Sequence, residues 1–519
     1  MGTLSALLAA SLAAATATAT ATTADIENSQ RVIPVSFSKP KGVLPALHKR
    51  AGTYSQELNN NLTGGGYYAQ VTVGTPPQTV DLIVDTGSSD VWILDSDANL
   101  CKSRSMQNYY GYCLSTYDPT KSSTYSVVSH NTFSIQYVDG SGAEGDYIKD
   151  NFSIGGANIE ALQMGLAENS TINSGLLGIG FAANVAARTP YPNIMNLFQD
   201  QDLIAIQAYS LYLDDLYAET GTILFGGLDT DKFIGELKTV DIQPDQYGNY
   251  SSFTVALTSL STTADNGTVS NYSRTAVPVI LDSGTTLTYI PESMTTRIFR
   301  AFDAVDDTSG TGLVFVNCDY LGDNGNLTFD FQFGGDDGPI VRVPIDEMVL
   351  DNVDGYVQLG LDVPSLPFDN VCSFGLQPSS DYYLLGDTFL RSAYVVYDLT
   401  NKQIGLAQAN LNSTESKILE ITQESGIPDA SGVASQVSVQ QTATGLPGPG
   451  GSTATGSAGS GSPTATATFT GTSSGQSGSS GQSGKNAGAR SVPVPNWEAL
   501  AVAGMAALFG LMGVGLVVF

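Results

Sequence analysis

The first sustained pattern in the chain runs from Tyr67 to Leu94, where apolar and polar positions alternate and then become continuously apolar, broken once by Gly74-Thr75-Pro76-Pro77. This predicts a half-buried strand, a tight hairpin-like turn and a buried strand. The second strand delivers Val84-Asp85-Thr86-Gly87-Ser88-Ser89. The same order of residue types returns 197 positions on, as Leu281-Asp282-Ser283-Gly284-Thr285-Thr286, after a β-branched and aliphatic stretch from Val277 to Leu281. Each Asp is therefore expected at a strand end. A glycine two residues later allows a tight turn and close backbone approach, and the flanking hydroxyls can orient the carboxylate by hydrogen bonds. Leu176-Leu177-Gly178 and Leu384-Leu385-Gly386 make a second echo downstream of each Asp. Repetition on this scale points to duplication of a domain-sized unit, with Asp85 and Asp282 able to meet on a pseudo-twofold axis. Phe133 to Gly142, followed by Asp146-Tyr147-Ile148, predicts a β-hairpin with a glycine-rich tip.

The ends of the chain are patterned differently. Residues 4–15 form an Ala/Leu run followed by Ala17, Ala19 and Ala21, which reads as a secretory signal over 1–21, although no Lys or Arg precedes Arg31. Residues 22–50 are non-periodic and close on Lys49-Arg50, the form of a propeptide with a dibasic processing site. Two lobes are expected over 51–240 and 241–410. The pattern dissolves after Ala409, and residues 430–485 are nearly all Ser, Thr, Gly, Ala, Gln and Pro, too poor in large apolar groups to fold. An O-glycosylated stalk is expected over 411–486. A 21-residue apolar run from Ala499 to Phe519 follows small residues and a short spacer. This is the layout of a GPI-attachment signal, with Asn486 as the attachment residue and 487–519 removed. A membrane helix of that length competes, but no positive charge follows Phe519 to hold it.

Composition narrows the partners. Hydrophobic residues make up 42%, with 24 Tyr, 20 Phe and 56 Gly, which suits an all-β protein rich in turns and large enough for two cores. The formal charge of -29 argues against nucleic acid and favours positively charged substrates or acidic surroundings, with a merely solubilising surface as the plain alternative. Sequons at Asn61, Asn151, Asn169, Asn249, Asn266, Asn271, Asn326 and Asn412 fit passage through the secretory pathway. Four cysteines, Cys101, Cys113, Cys318 and Cys372, suggest two disulfides of open connectivity, and the lack of any C-x-x-C spacing disfavours zinc. The histidines are His48, in the expected propeptide, and His130, most simply a surface turn residue. Neither accompanies a G-x-S-x-G or H-E-x-x-H motif, and phosphate-loop and dinucleotide signatures are missing, so no cofactor or metal is proposed.

These motifs, with Tyr67 to Gln78, Trp92, Tyr137 to Ser141, Phe225-Gly226-Gly227 and Leu385 to Arg391, resemble the pepsin-like aspartic proteases over roughly positions 67 to 410. The resemblance implies an all-β, bilobal fold with Asp85 and Asp282 on the floor of a cleft. They would activate a water for peptide hydrolysis, with no covalent intermediate. Ser88 and Thr285 would bind the outer carboxylate oxygens, and Gly87 and Gly284 would line the substrate site. Tyr137 would be the flap tyrosine and Trp92 its hydrogen-bonding neighbour, with Val138 where the family usually has Gly. The same resemblance selects Cys101–Cys113 and Cys318–Cys372 as the disulfides. In fungal members an acid at the position of Asp139 is associated with accepting Lys or Arg before the scissile bond, as pairing with a partly dry carboxylate would favour. The alternative for Asp139 is a turn residue serving its own backbone. The stalk and attachment signal narrow the resemblance to GPI-anchored yapsin-like proteases, which cleave after basic residues in cell-surface or secreted proteins. Broad-specificity secreted acid proteases share the same core. The expectation is a monomer acting on protein and peptide substrates, held by a GPI lipid at the outer face of the plasma membrane or in the wall. A non-catalytic surface glycoprotein would have lost an Asp or a flanking Gly or hydroxyl, and none is lost.

Overall fold

The strand expected before each Asp forms in both halves and is held in the same way. The computed structural model describes residues 31–38, 66–218, 220–323, 326–353, 364–423 and 426–440. The expected signal peptide, His48, Lys49-Arg50, Asn61, Asn486 and the attachment signal lie outside the described residues. Strands β1 (Ile33–Ser38), β2 (Tyr68–Val73) and β3 (Gln78–Asp85) open the fold. β3 runs parallel to Gly175–Gly178, with Asp85 opposite Gly178, and Val277–Leu281 runs parallel to Leu384–Leu385. β3 is flanked by β2 on one edge and by Gly175–Gly178 on the other, and both its faces are packed, so Val80, Leu82, Ile83 and Val84 are all buried. The second sequence echo now has a cause. A β-carbon at Gly178 would meet the backbone of Ser89 and Asp90, and one at Gly386 would meet the carbonyls of Thr285 and Leu287. Each Asp loop packs on a glycine of its own lobe.

Among the described residues the strands form sheets of fourteen, eight, four and two. The largest includes a central sheet that joins the halves. Its middle pair is Ala208–Tyr212 against Ala393–Asp398, with Tyr209 directly opposite Tyr397. One side continues through Thr220–Phe225 to β1, the other through Gln403–Ala409 to Phe233–Asp241. Three strands from each half thus face one another across the axis. Phe233–Asp241, which a lobe boundary at 240 assigns to the first lobe, pairs with Gln403–Ala409 and so belongs with the second. The Tyr209 and Tyr397 rings stack at 4.8 Å, and Phe253 meets Tyr397 edge-on at 4.7 Å. Disulfides join Cys101 to Cys113 and Cys318 to Cys372.

The expectation of an unfolded stalk from residue 411 is corrected by the described residues 411–423 and 426–440. Ile418–Glu420 pairs with Gly227–Asp229, and Ser431–Gly432 runs parallel to Lys238–Thr239. Ile421, Ile427 and Val433 are buried. The sequence signal was faint because these apolar anchors are spaced six apart with only small, polar or proline residues between them, too sparse for a strand or helix pattern. Ile421→Ala is expected to lower stability by about 2–5 kcal/mol, as for other fully buried aliphatic truncations. Chemical denaturation at acid pH checks this; an unchanged midpoint would show that the segment is not part of the cooperative body.

Candidate active site

The two Asp loops face each other across the axis. Thr86 Oγ1 accepts from Ser283 N–H at 2.9 Å and donates to the Leu281 carbonyl at 2.9 Å. Ser283 Oγ accepts from Thr86 N–H at 3.2 Å and donates to the Val84 carbonyl at 2.8 Å. All four groups are buried, where a lost partner costs about 1–3 kcal/mol. This reciprocal lattice ties one lobe's loop to the other's. Ser88 and Thr285 were the hydroxyls expected on the carboxylates, and the structure gives Thr86 and Ser283 the separate work across the seam. Ser88 Oγ donates to Asp85 Oδ2, and Thr285 Oγ1 donates to Asp282 Oδ2 at 2.6 Å. Gly87 N–H donates to Asp85 Oδ1 at 2.8 Å and Gly284 N–H to Asp282 Oδ1 at 2.9 Å.

The glycines also make room for the opposing carboxyl. A β-carbon at Gly87 would lie 2.5 Å from Asp282 Oδ1, and one at Gly284 would run into the Asp85 carboxyl. The two carboxyls therefore lie close together. Burial is the main cause holding both above the ordinary carboxylate range, with the Asp282 charge adding to the shift at Asp85. Two carboxyls in this arrangement share one proton, aspartic proteases being the type case, and that proton belongs to the pair. The charged member can take a proton from a water lodged between them while the protonated member donates to a peptide carbonyl oxygen. The resulting gem-diol collapses when its C–N bond breaks and the leaving amine takes a proton.

The hairpin of Ser126–Gln136 and Gly142–Ile154 brings Tyr137 to this pair. Its tip closes through Tyr137 N–H donating to the Ser141 carbonyl at 2.8 Å and Gly140 N–H donating to that of Tyr137 at 3.0 Å. Trp92 Nε1–H donates to Tyr137 Oη at 2.9 Å, and the phenol is held far above its usual range by burial and then by the nearby Asp85 charge. Asp139 is 5% exposed, and its Oδ1 accepts from Ser141 N–H at 2.8 Å and from Ser141 Oγ at 2.6 Å. Burial raises its pKa. His130 lies within the first hairpin strand rather than a turn, its Nδ1 2.7 Å from Asp146 Oδ2.

Two supports went unread in the sequence. Asp90 is fully buried and accepts from Tyr191 Oη at 2.6 Å, Tyr147 Oη at 3.0 Å and Ala186 N–H at 2.6 Å. Its position directly before the apolar strand Val91–Leu94 was the available signal. Arg391 is also fully buried; its Nε donates to Glu347 Oε2, and Glu347 Oε1 accepts from Leu216 N–H at 2.9 Å. No sequence spacing linked these three residues.

The family model for eukaryotic aspartyl proteases matches residues 66–409. The chain is 40% identical over 438 residues to the "Probable aspartic-type endopeptidase OPSB" of Trichophyton verrucosum, covering 82% of this chain and 84% of that one. It is 42% identical to the Aspergillus fumigatus protein named "Probable aspartic-type endopeptidase opsB", covering 78% and 79%. It is 35% identical to "Secreted aspartic protease 6" of Candida albicans, covering 72% and 82%. The chain belongs to the eukaryotic aspartyl protease family and is an aspartic endopeptidase, a hydrolase of protein and peptide substrates.

Two outcomes follow. Removing the hydroxyl of Ser88, which stabilises the charged form of Asp85, should move the pH profile of kcat/KM upward by about one unit. An unmoved profile in Ser88→Ala would show that this bond does not tune the pair. Asp85, Asp282, Asp90, Asp139 and Asp398 are all raised chiefly by burial. A raised carboxyl binds its proton more tightly when folded. Its stabilisation is complete below the ordinary carboxylate pKa of about 4 and is lost as pH rises through the folded values. Melting temperature should therefore be highest in acid and fall toward neutral pH; calorimetry showing a rise would contradict this.

Proposed function

We propose that this chain is a secreted, GPI-anchored endopeptidase that cleaves after Lys or Arg in cell-surface or secreted proteins, working as a monomer at the outer face of the plasma membrane. The observation that carries the specificity is Asp139, a buried carboxylate two residues beyond the flap tyrosine. Ser141 satisfies Oδ1, and a substrate cation would pair with the carboxylate once it is ionised, on a weakly hydrated wall. The net charge of -29 would draw basic segments toward the cleft. Secretion is supported by the Ala/Leu leader and by the name of the Candida albicans relative. The sequons at Asn151, Asn169, Asn249, Asn266, Asn271, Asn326 and Asn412 all lie at exposed or half-exposed positions, open to glycosylation. Anchorage rests on the chain's last residues alone, with Asn486 as the attachment point.

Digestion of a peptide library at pH 4 and pH 6, with and without pepstatin, tests the specificity. Pepstatin-sensitive cuts after Lys or Arg are expected. Asp139→Asn should lower kcat/KM on those sites about tenfold or more, the scale of losing one partner of a desolvated pair, while sparing apolar sites. Cuts between large apolar residues would replace this reading with that of a broad-specificity acid protease. Asp85→Asn should abolish turnover in either case; retained function in that variant would favour the non-catalytic glycoprotein. Phosphatidylinositol-specific phospholipase C should release the enzyme from membranes, and continued retention in membrane and wall-free fractions would sink the anchor.

A further inference from the structure

The second lobe carries a pocket that the catalytic chemistry does not use. It holds about 650 Å³, within the ~300–1,000 Å³ range of small-ligand sites, and none of its lining residues belongs to the Asp loops or the flap hairpin. Three segments wall it. The helix Glu292–Ala301 presents Phe299 and Arg300 from its last turn, and the chain then reverses at Asp303, whose φ is 49°. Phe302 N–H donates to the Ile298 carbonyl at 3.0 Å and Ala304 N–H to that of Phe299 at 2.9 Å, which fixes Phe302 and Asp303 beside that turn. Asp319 and Tyr320 come from the turn after Cys318, fastened by the bond to Cys372, and Phe368 completes the wall.

The floor is aromatic and the rim is charged. Phe299 and Phe302 are buried, and Phe302 stacks on Phe329 and tilts against Tyr320, each at 5.2 Å between ring centres. Tyr320 and Phe368 are half-buried and leave ring surface open to the pocket, while Arg300, Asp303 and Asp319 are exposed. Among the described residues, Arg300 and Asp303 have no hydrogen-bond or ion-pair partner. Asp303 lies close enough to Tyr320 for its charge to add to burial in raising that phenol's pKa. Asp319 is held by two amides, Asn317 Nδ2 at 3.1 Å and Asn370 Nδ2 at 2.8 Å, and each of its oxygens keeps a further lone pair to offer.

These charges decide what fits. A cationic ligand would meet the Arg300 guanidinium, and an anionic one would meet two carboxylates, so each would bring a repulsive contact into the pocket. A neutral ligand avoids both, provided that its hydroxyls can donate to Asp303 and Asp319 and accept from Arg300. It also needs a flat face of C–H groups, because their partly positive hydrogens are attracted to the negative face of an aromatic ring. A pyranose ring has both properties. We propose that this pocket binds a short neutral saccharide, with Tyr320 and Phe368 against the ring face and Arg300, Asp303 and Asp319 on its hydroxyls. Two sources supply such rings: the chain's own N-glycans, with sequons at Asn271, next to Tyr272, and at Asn326, shortly after Tyr320, and saccharides from outside the molecule.

Saturation-transfer NMR tests this on the full-length enzyme with pepstatin filling the catalytic cleft, before and after endoglycosidase treatment. The probes are chitobiose, mannobiose and laminaribiose, with tetramethylammonium and acetate as charged competitors. Transfer to the ring C–H protons of at least one disaccharide is expected. Binding before treatment assigns the pocket to an outside saccharide; binding only after treatment, reproduced in Asn271→Gln or Asn326→Gln, assigns it to the chain's own glycan. Arg300→Gln and Asp303→Asn should each weaken binding about tenfold, the scale of one hydrogen bond to a charged group, and leave peptide hydrolysis unchanged. Both side chains are exposed, and Asn tolerates the left-handed backbone of Asp303, so both variants are expected to fold. No transfer to any disaccharide after treatment overturns the proposal, as does transfer that is unaltered in both variants or displaced by either charged competitor.

Discussion

Two carboxyls forced together on a seam between two lobes are the constraint on which the rest of this structure depends. Like charges at that range repel, and burial adds to the cost, so the arrangement persists only as a singly protonated pair in a rigid frame. Thr86 and Ser283 supply the frame by exchanging hydrogen bonds across the seam. Gly87 and Gly284 supply the space, since any larger residue would displace the opposite Asp. Beneath them the Tyr209–Tyr397 stack and the central sheet bind the lobes into one support.

The same preference for protonated carboxyls recurs away from the cleft. Asp90, Asp139 and Asp398 are buried acids whose pKa values rise for want of solvent, and together with a net charge of -29 they make the molecule one suited to acid. Catalysis and stability then share a pH dependence, because both need protons on buried carboxyls. Asp139 is fastened within the flap tip by the N–H and Oγ of Ser141, the contacts of a turn residue serving its own backbone.

The chain's extremities are more involved in the body than their composition suggests. β1 and the strap 418–421 meet at Gly226 and Gly227, so the segments that lead toward the two expected processing events are fastened at one point of the central sheet.

Much of the site was legible in the sequence because its parts are local. An apolar strand, an Asp, a Gly two residues on and a hydroxyl three residues on determine a loop whatever surrounds it, and duplication of the loop announced the axis. The roles of Ser88 and Thr285, the Trp92–Tyr137 contact and the flap hairpin followed from motif and resemblance, and the structure places those groups together. What tertiary structure alone decided are the contacts between residues far apart in the chain: the division of labour between Thr86 and Ser88, the Arg391–Glu347–Leu216 bridge, the burial of Asp90, and the seats of β1 and the C-terminal strap. Local pattern shows which face of a strand is apolar, but which surface covers that face is settled only when the whole chain has packed, since burial depends on neighbours hundreds of positions away.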